Sequence, residues 1–352
     1  MDAQPPGPGV PEDRRAEGIK QARRRKMAAW VLVASVCMLT ALGASIDGAP
    51  AILTGAMVLL PWICVVTLSG LALARQRTPF LVLLFSFLFY WGRAWLPSFG
   101  GDFSGMPVTI MTWNVQRFGF EGVTTDGRFA CVTNAIARLN PDALALQEVT
   151  GQDLEEMERA LGMSCAHVDY LGTGRPDRGG LAVCARGSQW SLGETWTRTL
   201  GEDWHTVFAE LVNGEVVFNL MVAHLHPYKM GTWQGGPGGA APSAVVVSRA
   251  QVEETSALLN YTRTFHDPTV VAGDFNSPRD TAVHHAMRRT MTDAWEAGAW
   301  GPGSTVRLWG LVPMRVDYLY ATASLATKRA WIPEVDCSDH RPLLSRFSVQ
   351  AM

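Results

Sequence analysis

Three long apolar runs crowd the first hundred residues, and short apolar runs ending at a polar residue recur through the rest. The early runs cover Met27–Ile46 (27–46), Ala49–Ala74 (49–74) and 80–97. Each is near the ~20 residues a helix needs to cross a bilayer core. After Met106 the period changes. Strands are predicted at Val108–Trp113, Ala143–Gln147, Leu181–Ala185, Thr206–Leu211, Val216–Ala223, Thr269–Ala272, Val316–Tyr320 and Leu343–Val349. Helices are predicted at Gly127–Leu139, Leu154–Leu161 and Arg249–Thr264. Strands mixed with amphipathic helices over such a length predict one layered α/β domain, 107–352, with its sheets inside.

Charge sorts the chain in the same way. Residues 1–26 are rich in Pro, Gly and charge and read as a disordered leader, closed by the cluster Arg23-Arg24-Arg25-Lys26. Arg75 and Arg77 lie between the second and third runs, and no basic residue lies between the first and second. The positive-inside rule then puts the N-terminus and the second loop in the cytoplasm. Three spans deliver the chain beyond the linker 98–106 to the outside of a cell membrane. Arg93 snorkels outward at the end of the third run, between Trp91 and Trp95, residues suited to an interfacial belt.

Net charge over 352 residues is -2, but ten of the 30 basic and six of the 32 acidic side chains fall in residues 1–103. The remainder carries 20 basic against 26 acidic. A protein that grips a long polyanion shows the opposite surplus, which makes nucleic acid the less natural partner. Cys37 and Cys64 fall in the apolar runs, while Cys131, Cys165, Cys184 and Cys337 are scattered without zinc-site spacing. Disulfides are open to these four in an oxidising compartment, and free buried thiols are the plainer expectation.

The polar residues at strand ends carry the chemistry. Asn114 ends MTWN, Glu148 ends LALQE, His224 ends LMVAH, and Asp274 and Asn276 end VVAGDFN. Asp317 sits in MRVDYLY and Asp339-His340 in CSDHRP. One acid after a strand is a turn or a cap. A series of them suggests a catalytic rim held by a rigid sheet.

In this order TWNV, LQEV, AHLH, GDFNS, VDYLY and SDHRP resemble the endonuclease/exonuclease/phosphatase superfamily over about residues 107–350. That group includes pancreatic-type deoxyribonucleases, apurinic endonucleases, inositol polyphosphate phosphatases and neutral sphingomyelinases. The resemblance implies a four-layer α/β/β/α sandwich (DNase-like), here preceded by a three-helix transmembrane region. It also implies a Mg²⁺- or Mn²⁺-dependent hydrolase, because a hard divalent cation must offset charge on the phosphoryl oxygens. Glu148 is then the principal metal ligand, with Asn114 and Asp339 completing the set. Asp274 positions the attacking water, and Asn276 and His224 donate to phosphoryl oxygens. His340 is the base or electrostatic partner, oriented by Asp317.

Other positions are more open. His226 shares a sheet face with His224 if the strand continues, and the two can exchange roles. His167, His205, His266, His284 and His285 read as surface or loop residues. Arg178 and Gly179-Gly180 read equally as a substrate-facing loop or a strand entry. The glycine-rich segment Pro227–Ser243 reads as a lid or a spacer, with Lys229, Trp233 and the nearby Arg249 as candidate substrate contacts.

Three spans followed by an external domain resemble the membrane-anchored subgroup of VanJ-type glycopeptide-resistance proteins. That likeness implies an extracytoplasmic phosphatase acting on a lipid-linked pyrophosphate, such as undecaprenyl pyrophosphate, or a related cell-wall precursor. An anchored nuclease and a sphingomyelinase-like phosphodiesterase would use the same residues. A non-catalytic module would require a missing catalytic residue, and none is missing.

Overall fold

The computed structural model describes residues 12–45, 63–95, 105–116, 125–174, 179–201, 204–227, 240–279, 281–301, 303–308 and 312–350. Side chains are described there except at 12–19, 39–45, 89–95, 125–126, 240–245, 308 and 312. The chain forms two compact units, one helical and drawn from 1–45 and 59–92, the other containing everything from Arg93 onward.

The helical unit contains α1 (Glu12–Ser45), α2 (63–73) and α3 (Arg77–Trp95). Helix α1 begins at Glu12, so the basic cluster lies inside a helix instead of a disordered leader. Ala, Glu, Lys and Arg favour helix there, and the apolar run simply continues it. A narrow seam packs the unit, with Ala29, Val33 and Val36 buried on α1 and Cys64, Leu68 and Leu71 on α2. The i, i+4, i+7 spacing puts each set on one stripe. The Cys37 thiol approaches the Ser86 hydroxyl at 3.5 Å between α1 and α3.

The expectation of three membrane spans is not supported. Among the described residues no helix is long and apolar enough to cross a membrane. Helix α3 is 19 residues long and includes Arg77 and Arg93, which leaves less than a full apolar span. Part of the second run, 49–62, lies outside the described residues.

In the second unit two six-stranded sheets stack face to face. The first comprises β1 (Met106–Asn114), β2 (Ala143–Thr150), β3 (Met163–Asp169), β4 (Gly179–Arg186), β13 (Leu325–Trp331) and β14 (Leu343–Val349), in the order β13-β14-β1-β2-β4-β3. The second comprises β5 (Ser191–Leu200), β6 (Trp204–Asn213), β7 (Val216–His224), β8 (Thr269–Asp274), β9 (Thr292–Asp293) and β12 (Asp317–Ala321), in the order β5-β6-β7-β8-β12-β9. A small ribbon pairs β10 (Val306–Leu308) with β11 (Val312–Met314). Each sheet has one parallel pair at its centre, β1 with β2 and β7 with β8.

Period-two alternation builds the layers. Val108 and Ile110 face the core between the sheets, together with Leu220, Val222, Val270 and Ala272. Met111 and Trp113 point the other way, onto α4 (Thr125–Leu139) and α5 (Gly151–Leu161). Met221 and Ala223 likewise meet α6 (Ala240–Thr264) and α7 (Ala282–Arg288). One further short helix, α8 (Ala294–Gly298), follows β9. The four-layer α/β/β/α sandwich expected of the sequence is what this unit adopts.

All four scattered cysteines of this unit are paired, which corrects the expectation of free thiols. Cys165 faces Cys184 across β3 and β4, and Cys131 on α4 joins Cys337. Sequence spacing carries no trace of either pairing; sheet register and helix packing bring each pair within bonding reach.

Among the described glycines, Gly273 makes the closest backbone approach. It pairs with Ala223 in the parallel centre of the second sheet, and a β-carbon there would lie 1.8 Å from the Ala223 carbonyl oxygen. Its φ of 154° also strains any other residue. Gly273→Ala is expected to destabilise the domain by about 3 kcal/mol. A urea unfolding midpoint unchanged from the parent would refute this.

Candidate active site

Sheet direction gathers the polar strand ends at one rim. Asn114 closes β1, His224 closes β7 and Asp274 closes β8, with His224 in register with Asp274. Asp317 opens the antiparallel β12 opposite Asp274, and His340 precedes the antiparallel β14. The two sheets are joined directly here: the Asn114 amide Nδ2 donates to Glu148 Oε1 and to Asp274 Oδ2, both at 3.1 Å.

Glu148 reaches this rim through a bulge. The β2–β4 register shifts between Gln147 and Val149, and Glu148 takes a φ of 56°. Gln147 faces inward to Thr112, whereas Val149 packs outward with Leu146. An uninterrupted strand would put residues 147 and 149 on one face. The inserted residue is Glu148, and the bulge re-aims its side chain. Asn276 also has a left-handed backbone (φ 47°), and its N–H donates to Asp274 Oδ1 at 2.8 Å. Its Nδ2 donates one hydrogen to Leu225 O at 2.9 Å, leaving a second. Strained non-glycine residues of this kind cluster at functional sites.

The loop with Asp339 and His340 is held from three directions. Ser338 Oγ donates to Asn114 O at 2.8 Å, Trp113 Nε1 donates to His340 O at 2.9 Å, and the Cys131–Cys337 bridge ties the loop to α4. The His340 Nδ1 then lies 2.9 Å from Asp317 Oδ2, and its Nε2 lies 3.6 Å from Asp274 Oδ2. Burial alone would favour a neutral ring, but the Asp317 and Asp274 carboxylates outweigh it and raise His340 to about 10. Burial and the neighbouring Asp317 push the Asp274 carboxyl up, against the pull of His340 and His224.

His224 has the opposite character. Burial lowers it to about 4 despite Asp274, with His340 and His226 adding to the shift. Its Nε2 sits 3.6 Å from Asp274 Oδ2, and its Nδ1 lies 2.6 Å from the Tyr170 hydroxyl. The site therefore pairs an imidazolium and a neutral imidazole on either side of one buried carboxylate. Such a set can orient water, accept its proton and donate hydrogen bonds to an anion.

The donor set also suits a hard divalent cation. One Glu148 oxygen accepts from Asn114 and the other has no hydrogen-bond partner among the described residues. Asp317 Oδ1 is buried without a hydrogen-bond partner among the described residues, and Asp274, Asp317 and His340 offer ligand atoms within 4.8 Å of one another. Within that trio His340 Nδ1 already bonds Asp317 Oδ2, and the two Asp274 oxygens accept from Asn114 and Asn276, so the oxygen of the half-buried Glu148 is the more accessible ligand.

A second acid–histidine group lies away from the rim. His284, Asp293 and Glu296 approach closely, but Arg315 grips Asp293 with two hydrogen bonds of 2.9 and 2.7 Å. Arg279 and Arg288 pair with Glu296 at 3.1 and 3.0 Å. Guanidinium groups occupy the carboxylates, so this is an ion-pair network rather than a cation site. His284 is accordingly not a surface residue: it is buried and lies 2.7 Å from the Tyr320 hydroxyl.

With this geometry in place, comparison with known proteins is direct. The model of the Endonuclease/Exonuclease/phosphatase family matches residues 111–340. The chain belongs to this family. Members of that family are hydrolases of phosphoester bonds that generally use a divalent metal. The family member from Bacteroides vulgatus has a similar structure, with a TM-score of 0.58 and 16% identity over 70% of this chain and 100% of that one. The mannosyl-6-phosphatase of Bacteroides thetaiotaomicron superposes with a TM-score of 0.54 and 16% identity over 68% and 99%. The 5'-tyrosyl-DNA phosphodiesterase of Caenorhabditis briggsae is 34% identical over 58 residues, which span 16% of each chain.

Not every candidate joins the site. His226 is held by the buried Glu254, which bonds its imidazole and accepts its backbone N–H at 3.1 Å. It does not share His224's contacts with Tyr170 and Asp274. Asp339 is exposed on the rim and accepts from Ser338 at 3.2 Å. Arg249 is exposed on α6, and Lys229, Trp233 and Arg178 lie outside the described residues. Gly180 is a packing glycine, since a β-carbon there would meet Val168 O at 2.0 Å. Tyr170, Trp204 and Glu254 were not visible as site residues. Tyr170 follows β3, a strand the apolar pattern does not mark.

Proposed function

We propose that this family member is an extracytoplasmic phosphatase, anchored by its helical unit, acting on a lipid-linked pyrophosphate of the undecaprenyl type. The reading rests chiefly on one observation. Among the described residues, 13 of the 18 exposed large hydrophobic side chains lie in the helical unit, including Trp30, Val66, Leu73 and Phe85. Only the narrow seam is buried, and a helix set apolar on its outer faces suits a lipid environment. The disulfides support an oxidising compartment for the catalytic unit. The likeness to VanJ-type resistance proteins adds the substrate class.

In this reading Glu148 and Asn114, with Asp339 from the rim, hold Mg²⁺ or Mn²⁺. When bound, the ion supplies neutralisation of charge on the phosphoryl oxygens. Asp274 orients the attacking water and takes its proton, a role helped by its raised affinity for protons. The remaining Asn276 amide hydrogen and the His224 ring donate to phosphoryl oxygens. The His340 imidazolium, held by Asp317, stabilises the developing negative charge.

The short match to 5'-tyrosyl-DNA phosphodiesterases favours a second reading, an anchored nuclease or DNA-end phosphodiesterase. Against it stands the balance of 20 basic to 26 acidic side chains beyond residue 103. A substrate panel separates the two. Full-length protein in detergent with Mg²⁺ is expected to release phosphate from an isoprenoid pyrophosphate, with at least ~10-fold lower efficiency on DNA and sphingomyelin. Activity confined to DNA would overturn the substrate and leave the hydrolase chemistry standing.

A further inference from the structure

We infer that Tyr170 is a positioning residue that fixes His224 as the Nε2–H tautomer and couples it to the Glu148 bulge. The Tyr170 hydroxyl stands between two groups. It accepts the Glu148 backbone N–H at 3.0 Å and lies 2.6 Å from His224 Nδ1. A neutral imidazole has one ring proton to place. The Asp274 carboxylate facing Nε2 draws that proton to Nε2, so Nδ1 is the acceptor and the tyrosine O–H donates to it. The hydrogen at Nε2 is then aimed into the site from a ring whose other nitrogen is tied down, the arrangement that sets a histidine's role.

Packing makes the contact rigid. Tyr170 stacks on Trp204 with ring centroids 4.7 Å apart and planes 13° from parallel. The Trp204 indole N–H in turn donates to His224 O. The His224 backbone and ring are thus held by two aromatic residues that themselves form one stack. Through the Glu148 N–H, the same phenol pins the bulged residue with the more accessible ligand oxygen. A shift of the bulge therefore moves the phosphoryl donor, and the reverse.

The inference rests on His224 donating to the phosphoryl group, and its test is chosen to read the tautomer independently of turnover. In ¹⁵N NMR of the full-length protein labelled at histidine, His224 is expected to show a protonated Nε2 and an unprotonated, hydrogen-bonded Nδ1. A protonated Nδ1 in the parent protein overturns the inference whatever the activity. Tyr170→Phe keeps the stack on Trp204 and removes only the hydroxyl. It is expected to lower kcat about 10- to 100-fold with KM changed less than about threefold, and to yield a mixture of His224 tautomers. Unchanged kcat, or a pure Nε2–H signal in the variant, overturns it. If neither protein hydrolyses any phosphoester, the hydrolase reading fails while the tautomer result still decides this one.

Discussion

Asp274→Asn is expected to lower kcat by roughly a thousandfold or more, about 4 kcal/mol of transition-state stabilisation, without lowering the melting temperature. The amide keeps the shape of the side chain, and its oxygen can still accept the Asn276 N–H. What disappears is the negative charge between the Nε2 atoms of His224 and His340, each 3.6 Å away, together with the Oδ2 acceptor of the Asn114 amide. That charge is held in a buried position beside Asp317, where its protonated form is favoured more than in the unfolded chain. Above its folded-state pKa the ionised group costs stability, and relief of that cost offsets the lost Asn114 hydrogen bond. Steady-state hydrolysis and calorimetry on the same preparation test both halves. Retained activity would place the water-orienting acid elsewhere, and a marked fall in melting temperature would mean the carboxylate is chiefly structural.

Removing the Cys131–Cys337 bridge is the second large effect. The bridged residues are 206 apart in sequence. Closing so long a loop restricts the unfolded chain, and the entropic account puts the gain near 5 kcal/mol, with strain and residual structure reducing it. Cys131→Ser with Cys337→Ser is expected to destabilise the catalytic unit by about 3–5 kcal/mol. It should also lower kcat, because Cys337 is three residues from His340 and anchors the loop that carries it. Denaturant titration with and without a thiol reductant measures the first effect. The parent should respond to reductant and the double variant much less. Free-thiol titration of the unreduced, denatured parent should find only Cys37 and Cys64. Six reactive thiols would dismiss both bridges, and with them one support for an external catalytic unit.

Which strands were legible follows their place in the sheets. The apolar pattern marks β1, β2, β4, β6, β7, β8, β12 and β14. Besides the small ribbon of β10 and β11, it misses β3, β5, β9 and β13, which are the four edges of the two six-stranded sheets. An edge strand need not bury both faces, so its sequence is free to be polar. In β5, SLGETWTRTL, only Leu200 is fully buried. Central strands such as β8 are buried throughout and read as continuous apolar runs. The missed β3 had a consequence at the site, because Tyr170 follows it directly. A tyrosine after an unmarked strand gave no sign of facing a histidine 54 residues away.

The polar residues that meet at the rim, and their order along the chain, were legible in the sequence alone, together with the four-layer architecture. Phosphoester chemistry needs acids, amides and imidazoles at strand ends, and strands with buried faces must spell their period in apolar residues. The partners and charge environment of each member of the set were decided only by tertiary structure. His224 and His226 differ by two positions in the chain, yet one faces Asp274 and the other is tied to Glu254 on a separate helix. His340 and His224 are both buried, yet two carboxylates raise one and burial lowers the other. The disulfides, the re-aimed Glu148 and the Tyr170 contact likewise depend on register and close packing. Pairwise distance across sheets sets charge state and tautomer, and no local pattern along the chain encodes that distance.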